Sequence, residues 1–243
     1  MKDRRLTART TNNVVRLRPF VDPLTVPTVV LVDLQQEYVA APRRMAVPDA
    51  SAALAQCSLL LEHARAMGFP VAFMKRVTHA PFFNAATRFS HWIDGFSPLP
   101  TEMVFERELP SCYANSDFAC FMNEGAGVNI VLAGFAGESA CLSTVIDAYH
   151  RGHRVTFLAD ASASHAVETV TASNVHSLLS KVLGLYATVA TTAEWIEATS
   201  NGWSRTASVA EQKVMKSADA SRLRGALCVL SEGSETNAVL QRA

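Results

Sequence analysis

The chain has no excess of either charge. Lys+Arg and Asp+Glu both number 22, so the net charge is zero with His neutral. A surface that works by neutralising phosphates needs surplus Lys and Arg, which excludes nucleic acid as the main partner. No apolar run approaches the roughly 20 residues needed to cross a bilayer. No secretory apolar segment precedes the first structured stretch, so neither a membrane partner nor export is expected. Cysteine is sparse and unpatterned: positions 57, 112, 120, 141 and 228 make an odd count with no CxxC knuckle. That points to free thiols in a reducing cytoplasm. Charged residues are only 18% of the chain against 49% hydrophobic, which excludes disorder as the dominant state. No internal repeat is present.

The 243 residues suffice for one domain with a sizeable core and extra length at both ends. Residues 1–26 carry Lys2, Arg4, Arg5, Arg9, Arg16 and Arg18 against Asp3 and Asp22 and read as a solvated N-terminal arm. Residues 199–243 are rich in Ser and Ala and form a C-terminal extension. Its one apolar patch, 226–230, needs a covering surface from the body or from a second subunit.

Between these ends, 27–198 alternates. Thr28 to Val32 is a short β-branched run, the mark of a strand buried on both faces. Pro48-Asp49 introduces a helix with Leu54, Cys57, Leu61 and Ala64 on one face, closed by Gly68. Further strands are expected at 71–74, 103–105, 129–133, 155–159 and 187–190. Helices are expected at 116–124, 139–151, 166–183 and 193–198. Six strands alternating with helices predict an α/β fold of three α-β-α layers around a mostly parallel sheet. Ligands of such sheets bind beyond the carboxyl ends of the strands, where strand order reverses.

Three segments lie at that edge. VLVDLQQEY places Asp33 directly after the first strand. VFERELPSCYANSDF places Arg107 after the third. LAGFAGESACLSTVIDA is a turn running into a helix, with Cys141 near its start. Each alone has a bland reading: a turn Asp, an ion-paired Arg, a small buried Cys. Together they mark one edge of one sheet.

Across 27–198 the sequence resembles the isochorismatase-like hydrolase superfamily, which includes nicotinamidases, N-carbamoyl amidohydrolases and isochorismatases. VLVDLQQEY matches the family's strand-Asp-x-Gln motif and FERELPSCY its Lys-x-x-x-Ser-Ala-aromatic segment. GFAGESACLSTVIDAYHRGHRV matches its nucleophile turn and helix, and FLADASASH the strand that follows. The resemblance implies a Rossmann-like sheet of order 3-2-1-4-5-6. It also implies a non-proline cis peptide near Ala136-Gly137, no cofactor, and assembly as a homodimer or homotetramer. In the family's thiol enzymes an Asp, a Lys and a Cys form a triad. The thiolate attacks an amide-like carbonyl, and turn N–H groups hold the oxyanion.

That implies catalytic roles for Asp33, Arg107 and Cys141, with Ala136, Gly137 and Ala140 shaping the oxyanion turn. Two departures stand out. Arginine replaces lysine at 107; it stabilises charge but does not shuttle protons. Counting from Gly134 and back from Asp147-Ala148 puts the ordinary nucleophile position on Ala140, so Cys141 falls one residue late. A one-residue bulge would be needed to turn it back, because a helix rotates about 100° per residue. Isochorismatases have a small residue there and use the Asp to protonate a vinyl ether carbon. A fixed Arg would lower the pKa of such an acid, which favours the thiolate reading. The first reading is therefore a C–N hydrolase of small amides or carbamoyl compounds. The alternatives are a thiol-independent vinyl ether hydrolase driven by Asp33 and a silent ligand-binding member.

The 76–100 loop and the turn after the fourth strand should wall the substrate pocket, with Gln35, Phe82, Trp92 and Tyr113 as contacts. Arg76 or Arg88 could take a carboxylate. His79 and His91 lack the Asp-x-His spacing of the family's metal site, so no metal is expected.

Overall fold

The computed structural model describes residues 25–48, 50–124 and 128–203, with side chains to 200. Six parallel strands form one sheet: β1 (Thr28–Val32), β2 (Val71–Arg76), β3 (Met103–Arg107), β4 (Asn129–Gly134), β5 (Arg154–Ser162) and β6 (Thr188–Ala190). Their order is β3-β2-β1-β4-β5-β6, as the resemblance implies. The helices are α1 (Ala50–Met67), α2 (Ser116–Glu124), α3 (Leu142–His150), α4 (Ala172–Leu183) and α5 (Thr192–Trp203).

The continuous apolar run of β1 is explained by burial on both sides. Val29 and Leu31 join the core beneath α1 and Trp195 of α5. Val30 and Val32 join the core formed with Phe118 of α2, Val145 of α3 and Leu179 of α4. All four are fully buried, each contributing about 1.5–3 kcal/mol of apolar transfer energy. In α1 the buried positions Ala53, Cys57, Leu60, Leu61 and Ala64 follow helical spacing. Leu54, expected on that face, packs only partly against it.

Three helix boundaries differ from the sequence expectation. Residues 166–171 are not helical: Val167 and Val170 pair in a small antiparallel bridge, and the Thr171 hydroxyl caps α4 by accepting from the Asn174 N–H. Residues 137–141 form a π-type turn ahead of α3. α5 runs to 203 rather than 198, secured by buried Thr199, whose hydroxyl lies 2.7 Å from His63 Nε2. Val26, assigned to the arm, packs against the core. Residues 1–24 and the 226–230 patch lie outside the described residues, as does Asp49.

Strand order reverses between β1 and β4. There Gly134 has φ +117°, and an added Cβ would sit 2.1 Å from the Val32 carbonyl oxygen. The two central strands close on each other because that position carries no side chain.

Candidate active site

Asp33 follows β1 in the left-handed region, φ 53°, which Asp tolerates better than most residues. Its N–H donates to Met74 O at the end of β2. Its side chain is fully buried and pairs with the equally buried Arg107: Nη2 donates to Oδ2 at 2.8 Å. Arg107 Nη1 donates to Leu109 O at 2.8 Å, which fixes the plane of the guanidinium. Asp33 Oδ1 has no hydrogen-bond partner among the described residues, and neither has Arg107 Nε.

Burial pushes the Asp33 carboxyl up to about 6, against the pull of Arg107, of Arg76 and of the nearby Tyr38 hydroxyl. Arg107 acts in the direction the sequence suggests, downward, but it does not prevail. Desolvation of the fully buried carboxyl is the larger effect. The Tyr38 phenol is itself pushed far up by burial and by Asp33, so it stays neutral.

Asp33 and Arg107 thus come together as expected; Cys141 does not join them by any polar contact. The π-type turn supplies the extra residue that a bulge requires, with Cys141 N–H donating to Ala136 O at 3.2 Å. It nevertheless sets the sulfur against the end of β4, 3.7 Å from both Gly134 O and Ser162 Oγ. Burial pushes this thiol well up, and Cys112, Asp33 and Glu138 push it the same way. A reactive thiolate needs the reverse, an electropositive and partly open surrounding. Ala140 is buried one residue earlier.

The turn differs in detail too. The cis peptide is Phe135-Ala136, one bond before the expected one. Gly137 N–H donates to Ala163 O at 2.9 Å, so it is not free to hold an oxyanion. A Cβ at Gly137 would meet Ser164 Oγ at 2.7 Å and Leu179 Cδ2 at 3.0 Å; its smallness serves packing. Behind the turn, Glu138 and His165 pair at 2.8 Å, and His165 Nε2 lies 3.0 Å from Met45 O. The Glu138 hydrogen bond raises His165, and that bond holds Glu138 low against its burial.

Of the expected substrate contacts, two are placed elsewhere. Gln35 is fully buried, and its amide is spent on backbone: Oε1 accepts from Arg76 N–H at 2.8 Å, and Nε2 donates to Arg76 O and Ser90 O. It holds the end of β2 rather than a substrate. The Tyr113 hydroxyl lies 2.6 Å from His153 Nδ1, just before β5 at the opposite edge of the sheet. Phe82 and Trp92 are half-buried on the loop side. Trp92 lines a cleft of about 400 Å³ with Gln36, Ala40, Phe89 and Asp94.

Three residues near Asp33 carry chemistry that the motif reading did not assign. Tyr38 lies one short helical turn beyond it. Arg76, one of two open candidates, has its guanidinium over the Phe83 ring, and its charge lowers the Asp33 pKa. Cys112 holds the small position of the FERELPSCY segment; Arg107 beside it lowers its thiol, but burial raises it more. Among the described residues no group of three His, Cys, Asp or Glu side chains could hold a metal, and His79 and His91 are both exposed. No described helix is long and apolar enough to cross a membrane.

A family model described as the isochorismatase domain matches residues 27–194. YddQ, an uncharacterised isochorismatase family protein of Bacillus subtilis, is 26% identical over 177 residues, 70% of this chain and 98% of that protein. The secreted isochorismatase effector Isc1 of Verticillium dahliae is 25% identical over 176 residues, 70% of this chain and 92% of that one. An isochorismatase of known structure from Pseudomonas putida aligns with a TM-score of 0.66 at 26% identity, covering 70% of this chain and 90% of that chain.

Proposed function

The chain belongs to the isochorismatase family and is a hydrolase; from that premise we propose that Asp33, in its protonated form, is the catalytic acid of a thiol-independent hydrolysis of a small enol ether. The observation that carries this reading is the Asp33 carboxyl itself. One oxygen is held by Arg107 and the other is unpartnered, while burial holds the group's pKa at about 6. A buried carboxyl whose pKa is lifted toward neutrality, so that a working fraction carries the proton, is what a general acid requires.

In this mechanism the proton moves from Asp33 to the terminal carbon of the enol ether double bond. The resulting oxocarbenium ion is captured by water, which loses a proton to the Asp33 carboxylate. The hemiketal then collapses to a carbonyl compound and an alcohol. Arg107 keeps Oδ2 fixed, so the free Oδ1 is the atom that gives and takes the proton. Ala140, at the ordinary nucleophile position, carries no nucleophile of its own, in keeping with a thiol-independent reaction.

The competing reading, thiolate cleavage of a C–N bond by Cys141, needs an ionised sulfur close to a cation. Its support is weaker, since Cys141 contacts Gly134 and Ser162, and burial raises its thiol more than the Ser162 hydrogen bond lowers it. The free thiols at 57, 112, 120 and 141 support a reducing, cytoplasmic setting.

Isochorismate is the substrate for the test. Asp33→Asn should lower turnover by about a thousandfold or more, while Cys141→Ser stays within a few-fold of wild type. Full activity in Asp33→Asn, or loss in Cys141→Ser with hydrolysis of an amide panel by wild type, would overturn the reading.

A further inference from the structure

The edge of the sheet opposite Asp33 carries a second cleft, of about 330 Å³, lined by Asn129, Tyr149, His153, Thr156, Tyr186 and Thr188 among others. Asn129 opens β4, Thr188 opens β6, and Thr156 lies near the start of β5. Gly134, at the far end of β4, is level with the end of β1. The length of β4, about 17 Å, therefore separates this cleft from the Asp33 site.

Three polar side chains form a row there. Thr156 is the register partner of Thr188, and Asn129 pairs with Arg154, two residues before Thr156. All three side chains thus share one face of the sheet, the face whose next inward positions, Val131, Leu158 and Ala190, join the core beneath α1. Asn129 and Thr156 are 8% and 5% exposed. Neither side chain, nor that of Thr188, makes a hydrogen bond among the described residues. Unlike Asp33 Oδ1, their polar atoms are not sealed in, and the open space beside them is the cleft. A carboxamide and a hydroxyl drawn this far out of water without partners are costly. Leucine or valine would fill the same places without that cost.

The other side of the cleft is aromatic. Tyr149, in the last turn of α3, and Tyr186, ahead of β6, have ring centroids 5.3 Å apart at 79°. At that angle the edge of one ring meets the face of the other, so the ring that offers its edge keeps both faces clear of its partner. Both rings are exposed. No acid lines the cleft. His153 is held low by burial and by Arg151 and is neutral at pH 7, while Arg154 reaches back to Thr25 Oγ1 at 3.3 Å.

We propose that this cleft binds a free nucleobase or nucleoside, with the ring on a tyrosine face and its edge hydrogen-bonded to Asn129 and the threonines. A nucleobase presents a donor and an acceptor side by side, which a carboxamide answers with its own acceptor and donor. Its flat face is what an open tyrosine ring stacks. The volume is at the low end of small-molecule sites, which run from about 300 to 1,000 Å³, and admits one base with little besides. The buried polar groups are all neutral, so recognition does not call for a phosphate. The site takes no part in the Asp33 chemistry and does not depend on the reaction assigned to it.

The test is titration calorimetry of the full chain at pH 7 with adenine, adenosine, uracil, uridine, adenosine 5′-monophosphate and methyl glucoside. At least one base or nucleoside should bind, one per chain, with a Kd of about 1 mM or tighter. Tyr186→Ala and Asn129→Leu should each weaken it by about fivefold or more, and Asp33→Asn should leave it unchanged. Melting curves establish that the variants are folded; Tyr186 is exposed, so its variant decides the matter even where Asn129→Leu does not fold. No binding of any base or nucleoside up to about 5 mM overturns the proposal. So does binding that Asp33→Asn abolishes and Tyr186→Ala leaves intact, which would put the base in the catalytic site. Binding of methyl glucoside in place of the bases, or of the monophosphate alone, overturns the ligand class.

Discussion

Arg107 Nη2 lies 2.8 Å from Asp33 Oδ2, and both side chains are fully shielded from water. The pair pulls the Asp33 pKa in opposite directions: burial raises it and the guanidinium lowers it, with the balance near 6. About one molecule in ten then carries the proton at pH 7. Arginine in place of lysine cannot itself become the proton donor, so the proposed mechanism assigns the proton chemistry to Asp33.

Removing the guanidinium should separate the two effects. In Arg107→Gln the desolvation of Asp33 is unopposed by its nearest cation. The apparent pKa in the rate profile should rise by at least one unit, read from kcat/KM against pH. Stability should fall by about 3 kcal/mol at pH 8, where the buried carboxylate is left without its partner, and by less at pH 5, where it is neutral. An unmoved pKa would show that Arg107 does not set it.

The two buried thiols near the site should be dispensable for chemistry. Cys112→Ala and Cys141→Ala should each retain turnover within about fivefold, apart from a packing cost of about 1 kcal/mol in melting experiments. Iodoacetamide labelling followed by peptide mass spectrometry should find Cys141 slower than exposed Cys120. Fast labelling of Cys141 at pH 7 would speak for an activated thiolate.

Gly134→Ala should not give a folded protein at normal yield. Its φ of +117° and the 2.1 Å approach to Val32 O set a Cβ into the backbone of β1. The cost should exceed about 4 kcal/mol, seen as loss of soluble protein or a collapsed melting temperature. A normal melting curve would mean that β1 and β4 can part without penalty.

The Glu138–His165 pair should make stability depend on pH in a bounded window. His165 is raised, so its contribution is complete below the usual histidine value of about 6.5 and is lost as pH climbs through the raised one. Glu138 is lowered, so its contribution is complete above about 4.5 and is lost as pH falls through the lowered one. The melting gap between wild type and His165→Gln should therefore be largest near pH 5.5 and smaller at pH 8.5. A gap independent of pH would show that the pair is held by packing alone.

Most of this fold was legible in the sequence because its signals are local. The β1 run, the α1 spacing and the Gly68 stop report burial and turns within a few residues. Asp33 and Arg107 were legible because motif and sheet edge coincide. What escaped depends on direction rather than identity. Cys141 sits where a helix turn, read as letters, offers a nucleophile, but the sulfur's heading is set by the π-type turn and by Gly134 and Ser162 around it. Tyr113 reads as a pocket aromatic, yet its hydroxyl finds His153 at the other edge. The raised acid could not be read at all, because desolvation is a sum over everything packed around Asp33, while the arginine that opposes it is a single visible letter.

The most direct test is the pH dependence of kcat/KM for isochorismate, measured on wild type and on Cys141→Ala. A protonated Asp33 as the acid predicts a plateau below about pH 6 and a fall of about tenfold per unit above it, the same in both proteins. A rate that climbs with pH toward the thiol range in wild type and vanishes in Cys141→Ala would contradict the account.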